Sequence, residues 1–200
     1  MKLYITRHGQ TEWNLAGKLQ GWKNSPLTEE GIGNAHKLAN RLKNIDFDLI
    51  YTSHQKRAID TAKIIRGDRD TEIIRLDELK EIGFGAWEGM KIDIINEKYA
   101  EQYDKYMNQP HLYEPIDGES FQEVFERVDK ALKKILSSKK DKVLIVAHGV
   151  TIKIMTAIIK NISLEDLSII PIYPGTSLNL CEVGEDRIEF ILEGDNSHLI

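Results

Sequence analysis

Lys142-Val143-Leu144-Ile145-Val146-Ala147-His148-Gly149 carries an unbroken apolar run closed by a His-Gly pair. A strand with one wet face alternates apolar and polar residues. A continuous run of strand length instead marks a strand covered on both faces, as in a parallel sheet between helices. Outward from it, Val150–Lys160 reads as a helix, and Ser120–Leu136 before it as another. Glu88–Asn108 reads as a helix set apart by the Pro110–Pro115 segment. At the front of the chain, residues 2–6 form a short β-rich strand that breaks at Arg7-His8-Gly9, and the polar stretch from Gly9 to Pro26 reads as an irregular loop. Thr28 is a good N-cap for a helix running to about Lys43, with Ala35, Leu38, Ala39 and Leu42 inward. Asp48–Thr52, a helix near Gln55–Ile65 and Glu72–Leu76 continue the alternation. Leu178–Val183 and Arg187–Leu192 read as a hairpin around Gly184-Glu185-Asp186. Strands separated by helices predict an α/β fold, a three-layer α/β/α sandwich with a mostly parallel, mixed central sheet.

With 200 residues the chain is sized for a single domain, 1–200, in which residues 88–120 are the best candidate for a helical insertion. Its 41% hydrophobic and 30% charged residues are those of a soluble globular protein. The net charge of −5 excludes the basic footprint of general nucleic-acid binding, although arginines focused in a pocket escape that sum. The first residues are too short for a signal peptide, and no apolar run approaches the roughly 20 residues of a membrane span. The single cysteine, Cys181, allows no internal disulfide; it fits a reducing compartment and reads as a buried small hydrophobe. These features predict a cytoplasmic protein without membrane partners.

Three predicted strand ends carry chemistry. Arg7-His8-Gly9 follows the first, Ser53 and Arg57 the second, and His148-Gly149 the apolar strand. Open α/β sheets bind ligands at such ends. Two histidines with two arginines at one sheet edge suit a dianionic group, because the guanidinium fork matches phosphate oxygens and stays charged. The helix opening at Val150 is expected to add free N–H groups. The other histidines form no spaced pair with an acidic partner of the kind a zinc site needs, so no metal and no cofactor is expected.

The stretch from Leu3 to Asn14 closely resembles the opening signature of the histidine phosphatase superfamily, the phosphoglycerate-mutase-like proteins. The resemblance continues through Gln20-Gly21, Pro26-Leu27-Thr28, Tyr51-Thr52-Ser53, Arg57-Ala58, Thr61-Ala62, Leu79, Glu81, Phe84-Gly85, Trp87-Glu88-Gly89, Gly118-Glu119-Ser120 and Val146-Ala147-His148-Gly149. It implies that His8 is a nucleophile forming a phosphohistidine, with Arg7, Arg57 and His148 on the phosphoryl oxygens. Asn14, Gln20 and Gly149 join them on the substrate side. Glu81 matches the proton donor, with Glu12 as the alternative; Glu88 is read as the acidic first turn of a helix. The implied ligand is a small phosphorylated metabolite, and the working unit a monomer or homodimer.

Hydrolysis and phosphoglycerate mutation share this pocket. From Ile92 to Glu126 there are two lysines, no arginine and nine acidic residues, a balance of 2 − 9 = −7. That is a poor lid for a bisphosphorylated, carboxylate-bearing ligand. A phosphatase of the broad-specificity, α-ribazole phosphate or phosphoserine type is therefore expected, with cofactor-dependent mutase as the alternative and a non-catalytic phosphoester binder as a remote one. Tyr99, Tyr103, Tyr106 and Met107, followed by His111 and Tyr113, form a stripe at near-helical spacing that serves either as core or as an apolar wall for the substrate's organic part. Lys23-Asn24-Ser25 departs from the acidic residue that relatives often carry there.

Overall fold

The residue alternation of two central strands sets the layers. In the computed structural model, which describes every residue except Asp186, β1 (Lys2–Arg7) and β4 (Lys142–Ala147) pair in parallel from Lys2 opposite Lys142 to Arg7 opposite Ala147. Leu3, Ile5, Val143, Ile145 and Ala147 enter one buried cluster, and Tyr4, Leu144 and Val146 enter another. Both faces are therefore covered, which is why the sequence shows no polar alternation there. The remaining strands are β2 (Leu49–Thr52), β3 (Ile73–Arg75), β5 (Leu178–Val183) and β6 (Ile188–Asp195), in the sheet order β3-β2-β4-β1-β5-β6. Strands β1 to β4 run parallel, and the closing hairpin is antiparallel. The mixed sheet agrees with the sequence reading; β6 runs to Asp195, and Asp186 of the predicted turn lies outside the described residues.

Helices α2 (Glu29–Arg41) and α3 (Lys56–Arg66) supply Leu38, Ala58, Ala62 and Ile65 to one face. On the other face lie α6 (Phe121–Ser137) and α7 (Gly149–Lys160), with Val124, Val128, Leu132 and Met155 buried. Helix α6 starts where its sequence says it must. Ser120 caps the Glu123 N–H while the Glu123 carboxylate returns to the Ser120 N–H, a reciprocal capping box. Each large apolar side chain that it buries contributes about 1.5–3 kcal/mol over leaving it in water. Cys181 is fully buried, as expected of a small hydrophobe, and burial pushes its thiol up to about 12.

Two local expectations change. The stretch after Gly9 is not wholly irregular: α1 (Glu12–Leu15) follows Thr11, whose hydroxyl accepts from the Asn14 N–H while Asn14 Oδ1 accepts from the Thr11 N–H. Nor is Glu88–Asn108 one helix. Glu88 ends a single 3₁₀ turn, Gly89 takes φ +88, and Gly89 N–H and Met90 C=O pair with Leu19. Helices α4 (Ile92–Lys98) and α5 (Ala100–Asn108) then meet at Tyr99, which leaves helical geometry at φ −129, ψ 37. The break lets Tyr99, Tyr103, Tyr106 and Tyr113 surround Trp87 at ring distances of 6.0, 6.3, 6.2 and 5.4 Å. No helix among the described residues is long and apolar enough to cross a membrane.

Candidate active site

In-register parallel strands bring their carboxyl ends level. Arg7 stands opposite Ala147 and Thr52 opposite Val146, so the next residues of β1, β2 and β4, namely His8, Ser53 and His148, share one edge. His8 N–H also donates to Ala147 C=O at 3.0 Å. Arg57 arrives from the first turn of α3. The three predicted strand-end groups thus meet in one place. His8 is 2%, Arg57 1%, Glu81 8% and His148 0% exposed, four polar side chains in a dry setting.

His8 is held in a defined protonation state. Its Nδ1–H donates to Gly9 C=O at 2.7 Å, because a carbonyl can only accept, and Arg57 Nε donates to its Nε2 at 3.2 Å. Nε2 therefore carries a lone pair. Burial first, then the Arg57 and Arg7 guanidiniums, hold the imidazole pKa well below the ordinary histidine value. His148 is depressed likewise by burial, Arg57 and His8. Its Nε2 lies 2.7 Å from Ser53 Oγ, while its Nδ1 is buried with no partner among the described residues.

A pH dependence follows. Both imidazoles are neutral when folded but titrate near 6.5 when unfolded. Below that pH the unfolded chain takes up protons the folded chain refuses, so stability falls as pH drops through about 6.5. Urea unfolding of the wild type should show its midpoint declining from pH 7.5 to 5.5, and His148→Gln should flatten the decline. An equal slope in the variant would contradict the assignment.

The arginines are anchored by backbone. Arg57 Nη1 and Nη2 donate to the carbonyls of Lys23 and Gly21 at 2.8 and 2.9 Å, and Arg7 Nη1 donates to Tyr173 C=O at 3.1 Å. Arg7 Nε is buried without a partner among the described residues. Burial depresses both guanidiniums, Arg57 to about 10. Lys23 and Asn24, at the departure from the family pattern, thus hold Arg57 through the Lys23 carbonyl and Asn24 Oδ1.

Glu81 occupies the start of α7, where free helix N–H groups were expected to face the anion. Its Oε1 accepts from Ile82 N–H at 3.0 Å, Val150 N–H at 3.1 Å and Thr151 N–H at 3.2 Å. Oε2 receives only a 3.3 Å contact from Val150 N–H. The expectation about this helix terminus is corrected: the amides bind the protein's own carboxylate.

Residues missed in the sequence hold that loop. Gln55 Oε1 accepts from Glu81 N–H at 2.9 Å, and Arg127 donates to the carbonyls of Glu78, Lys80 and Glu81 while paired with Glu119 at 2.8 Å. Thr61 Oγ1, accepting from Gly9 N–H at 3.0 Å, supports the His8 turn. Gly118-Glu119-Ser120 flagged the Glu119 end of the tether, but no local signal pairs Arg127 with it.

Arg7, His8, Arg57 and Glu81 line a cavity of about 250 Å³ with Asn14, Gln20 and Gly149. His148 is fully buried with its ring 5.1 Å from that of His8 and is not part of the cavity wall. Asn14 Oδ1 is engaged by the α1 cap, leaving the amide end for the cavity. Gln20 lines it too, yet both ends of its amide serve Thr11 and Ser25. Gly149 sits so tightly that an added Cβ would lie 3.0 Å from Ile172 and 3.5 Å from Glu81 Oε2. Glu12 is exposed and outside the cavity, and Glu88 Oε1 instead accepts from the N–H groups of Trp22 and Phe84. The tyrosine stripe is core and cavity wall at once: Tyr103 and Tyr106 pack on Trp87 and, with Met107, line the cavity. Among the described residues no group of three or more His, Cys, Asp or Glu side chains is placed to hold a metal.

Paired buried histidines and arginines at the carboxyl ends of parallel strands, beside a buried carboxylate, are the chemistry that suits a phosphate ester. Residues 3–196 match the profile of the histidine phosphatase superfamily (branch 1), and the chain belongs to that family. It is similar to YhfR of Bacillus stearothermophilus, with TM-score 0.95 and 40% identity over 100% of this chain and 99% of that one. Phosphoserine phosphatase 1 of Hydrogenobacter thermophilus is 35% identical over 78% of this chain and 74% of that protein. A 2,3-bisphosphoglycerate-dependent phosphoglycerate mutase of Parvibaculum lavamentivorans is 32% identical over 88% of each.

Proposed function

We propose that the chain hydrolyses monoesters of small phosphorylated metabolites without a metal, through a phosphohistidine on His8. The neutral His8 Nε2 lone pair, at the cavity beside two arginines, carries this reading. In the first step the N–P bond forms as the ester P–O bond breaks, and Glu81 protonates the leaving alkoxide. In the second, Glu81 as carboxylate takes a proton from water, whose oxygen attacks phosphorus and returns neutral His8 and inorganic phosphate. Arg7, Arg57 and His148 Nδ1–H offset charge on the phosphoryl oxygens, a role that metal ions fill in many other phosphoryl-transfer sites. Asn14 and Gly149 act on the substrate side, with Gln20 fixing the Asn14 turn. The chain works as one domain, as a monomer or homodimer, and buried Cys181 suits a cytoplasmic setting.

The mutase relative keeps isomerisation as the second reading. The expectation from the negative balance of residues 92–126 is corrected: none of the segment's nine acidic residues lines the cavity, and its contribution to the wall is Ile92, Tyr103, Tyr106 and Met107. The lid brings no cation to hold a second phosphate or a carboxylate near the first. With EDTA present, p-nitrophenyl phosphate should be hydrolysed at an undiminished rate. Under the same conditions, 3-phosphoglycerate with 2,3-bisphosphoglycerate should release phosphate in excess of 2-phosphoglycerate formed. Dominant isomerisation would overturn the hydrolytic reading, and strict magnesium dependence the metal-free one.

A further inference from the structure

A second cavity, of about 210 Å³, adjoins the first and shares Tyr106, Met107, Val150 and Ile172 with it. Its other walls include Phe121, Ile170 and Pro171, and its single charged wall residue is Lys153. Lys153 lies one helical turn beyond Gly149 and Val150 on α7, about 5.4 Å farther along the axis. It is half-buried, its stem lying on apolar surface, and it forms no ion pair among the described residues. Burial alone depresses its pKa; no carboxylate acts to restore it. The cavity that adjoins the one holding His8 is thus mostly apolar and carries one cation with no carboxylate of the protein beside it.

We infer that this second cavity is the leaving-group subsite, and that Lys153 binds an anionic group which the substrate carries beyond an apolar spacer. The inference rests on the phosphomonoesterase reading and names the substrate class within it: a phosphate monoester whose organic part is apolar near the ester and carboxylated at its far end. Tyr106, Met107 and Ile172 cover the spacer, and Lys153 pairs the carboxylate in a partly water-excluded place. This is consistent with the absence of a cation from the lid, because Lys153 reaches only a charge set well away from the phosphoryl group.

The test compares an aryl phosphate bearing a para carboxyalkyl chain with its methyl ester, which has the same shape without the charge. The wild type should favour the acid about tenfold in kcat/KM, mainly through KM, as a charged hydrogen bond of this kind allows. Lys153→Met should bring that ratio near one, and Lys153→Arg should keep most of it. Raising salt should compress the wild-type ratio. A wild-type ratio of one or below, or an unchanged ratio in Lys153→Met, would overturn the subsite. Hydrolysis of neither compound would instead overturn the phosphomonoesterase reading on which it stands.

Discussion

His8→Ala is expected to lower kcat for p-nitrophenyl phosphate by about 10⁴-fold or more and to abolish acid-labile labelling of the chain by a phosphorylated substrate. The size follows from its task, since removing a covalent nucleophile eliminates the pathway and not one contact within it. The preparation in the structure is specific: Gly9 C=O fixes the proton on Nδ1, Arg57 Nε is directed at Nε2, and burial with two guanidiniums keeps the ring neutral. The cavity itself should survive, because Arg7 and Arg57 are anchored by carbonyls of Tyr173, Lys23 and Gly21 and not by the imidazole alone. The alanine variant should therefore still bind inorganic phosphate, within about tenfold of wild type by calorimetry. Activity within tenfold of wild type would refute covalent catalysis at His8.

What could be read from the sequence divides along a physical line. β1 and β4 were legible because burial of both faces writes an unbroken apolar run into the chain. Helix α6 was legible because its capping box and apolar stripe are local. The pocket followed, since in-register strands convert three sequence-distant His-Gly and Ser-Arg groups into neighbours. Helix α1 had a local signal, Thr11-Glu12-Trp13-Asn14, disguised because Asn14 fills the capping position usually held by Glu or Gln. The break at Tyr99 had none: neither glycine nor proline marks it, and packing of four tyrosines on Trp87 accompanies it. Arg127 was likewise illegible, because its partners are carbonyls of residues 78–81, forty-odd positions away. A guanidinium mid-helix looks solvated until the tertiary fold closes over it.

That tether bears on the second large effect. Glu81→Gln is expected to reduce kcat by about 10²–10³-fold for alkyl phosphates but by less than tenfold for p-nitrophenyl phosphate in the step that forms the phosphoenzyme. An alkoxide leaves poorly without a proton, whereas p-nitrophenolate needs none. Glutamine preserves shape but cannot donate and recover a proton in turn. Oε1 is occupied by the amides of Ile82, Val150 and Thr151, so in the proposed mechanism Oε2 is the oxygen that would transfer the proton, the atom 3.5 Å from where a Gly149 Cβ would stand. Arg127, Gln55 and Trp22 fix the Glu81 backbone, and the three amides on Oε1 hold its carboxyl. Glu12 offers no replacement, being exposed and outside the cavity. Single-turnover measurement of phosphoenzyme formation separates this step from the hydrolysis that follows. A loss equal across good and poor leaving groups would show that Glu81 serves binding and not proton transfer, and Glu12→Gln matching the leaving-group pattern would move the donor to α1.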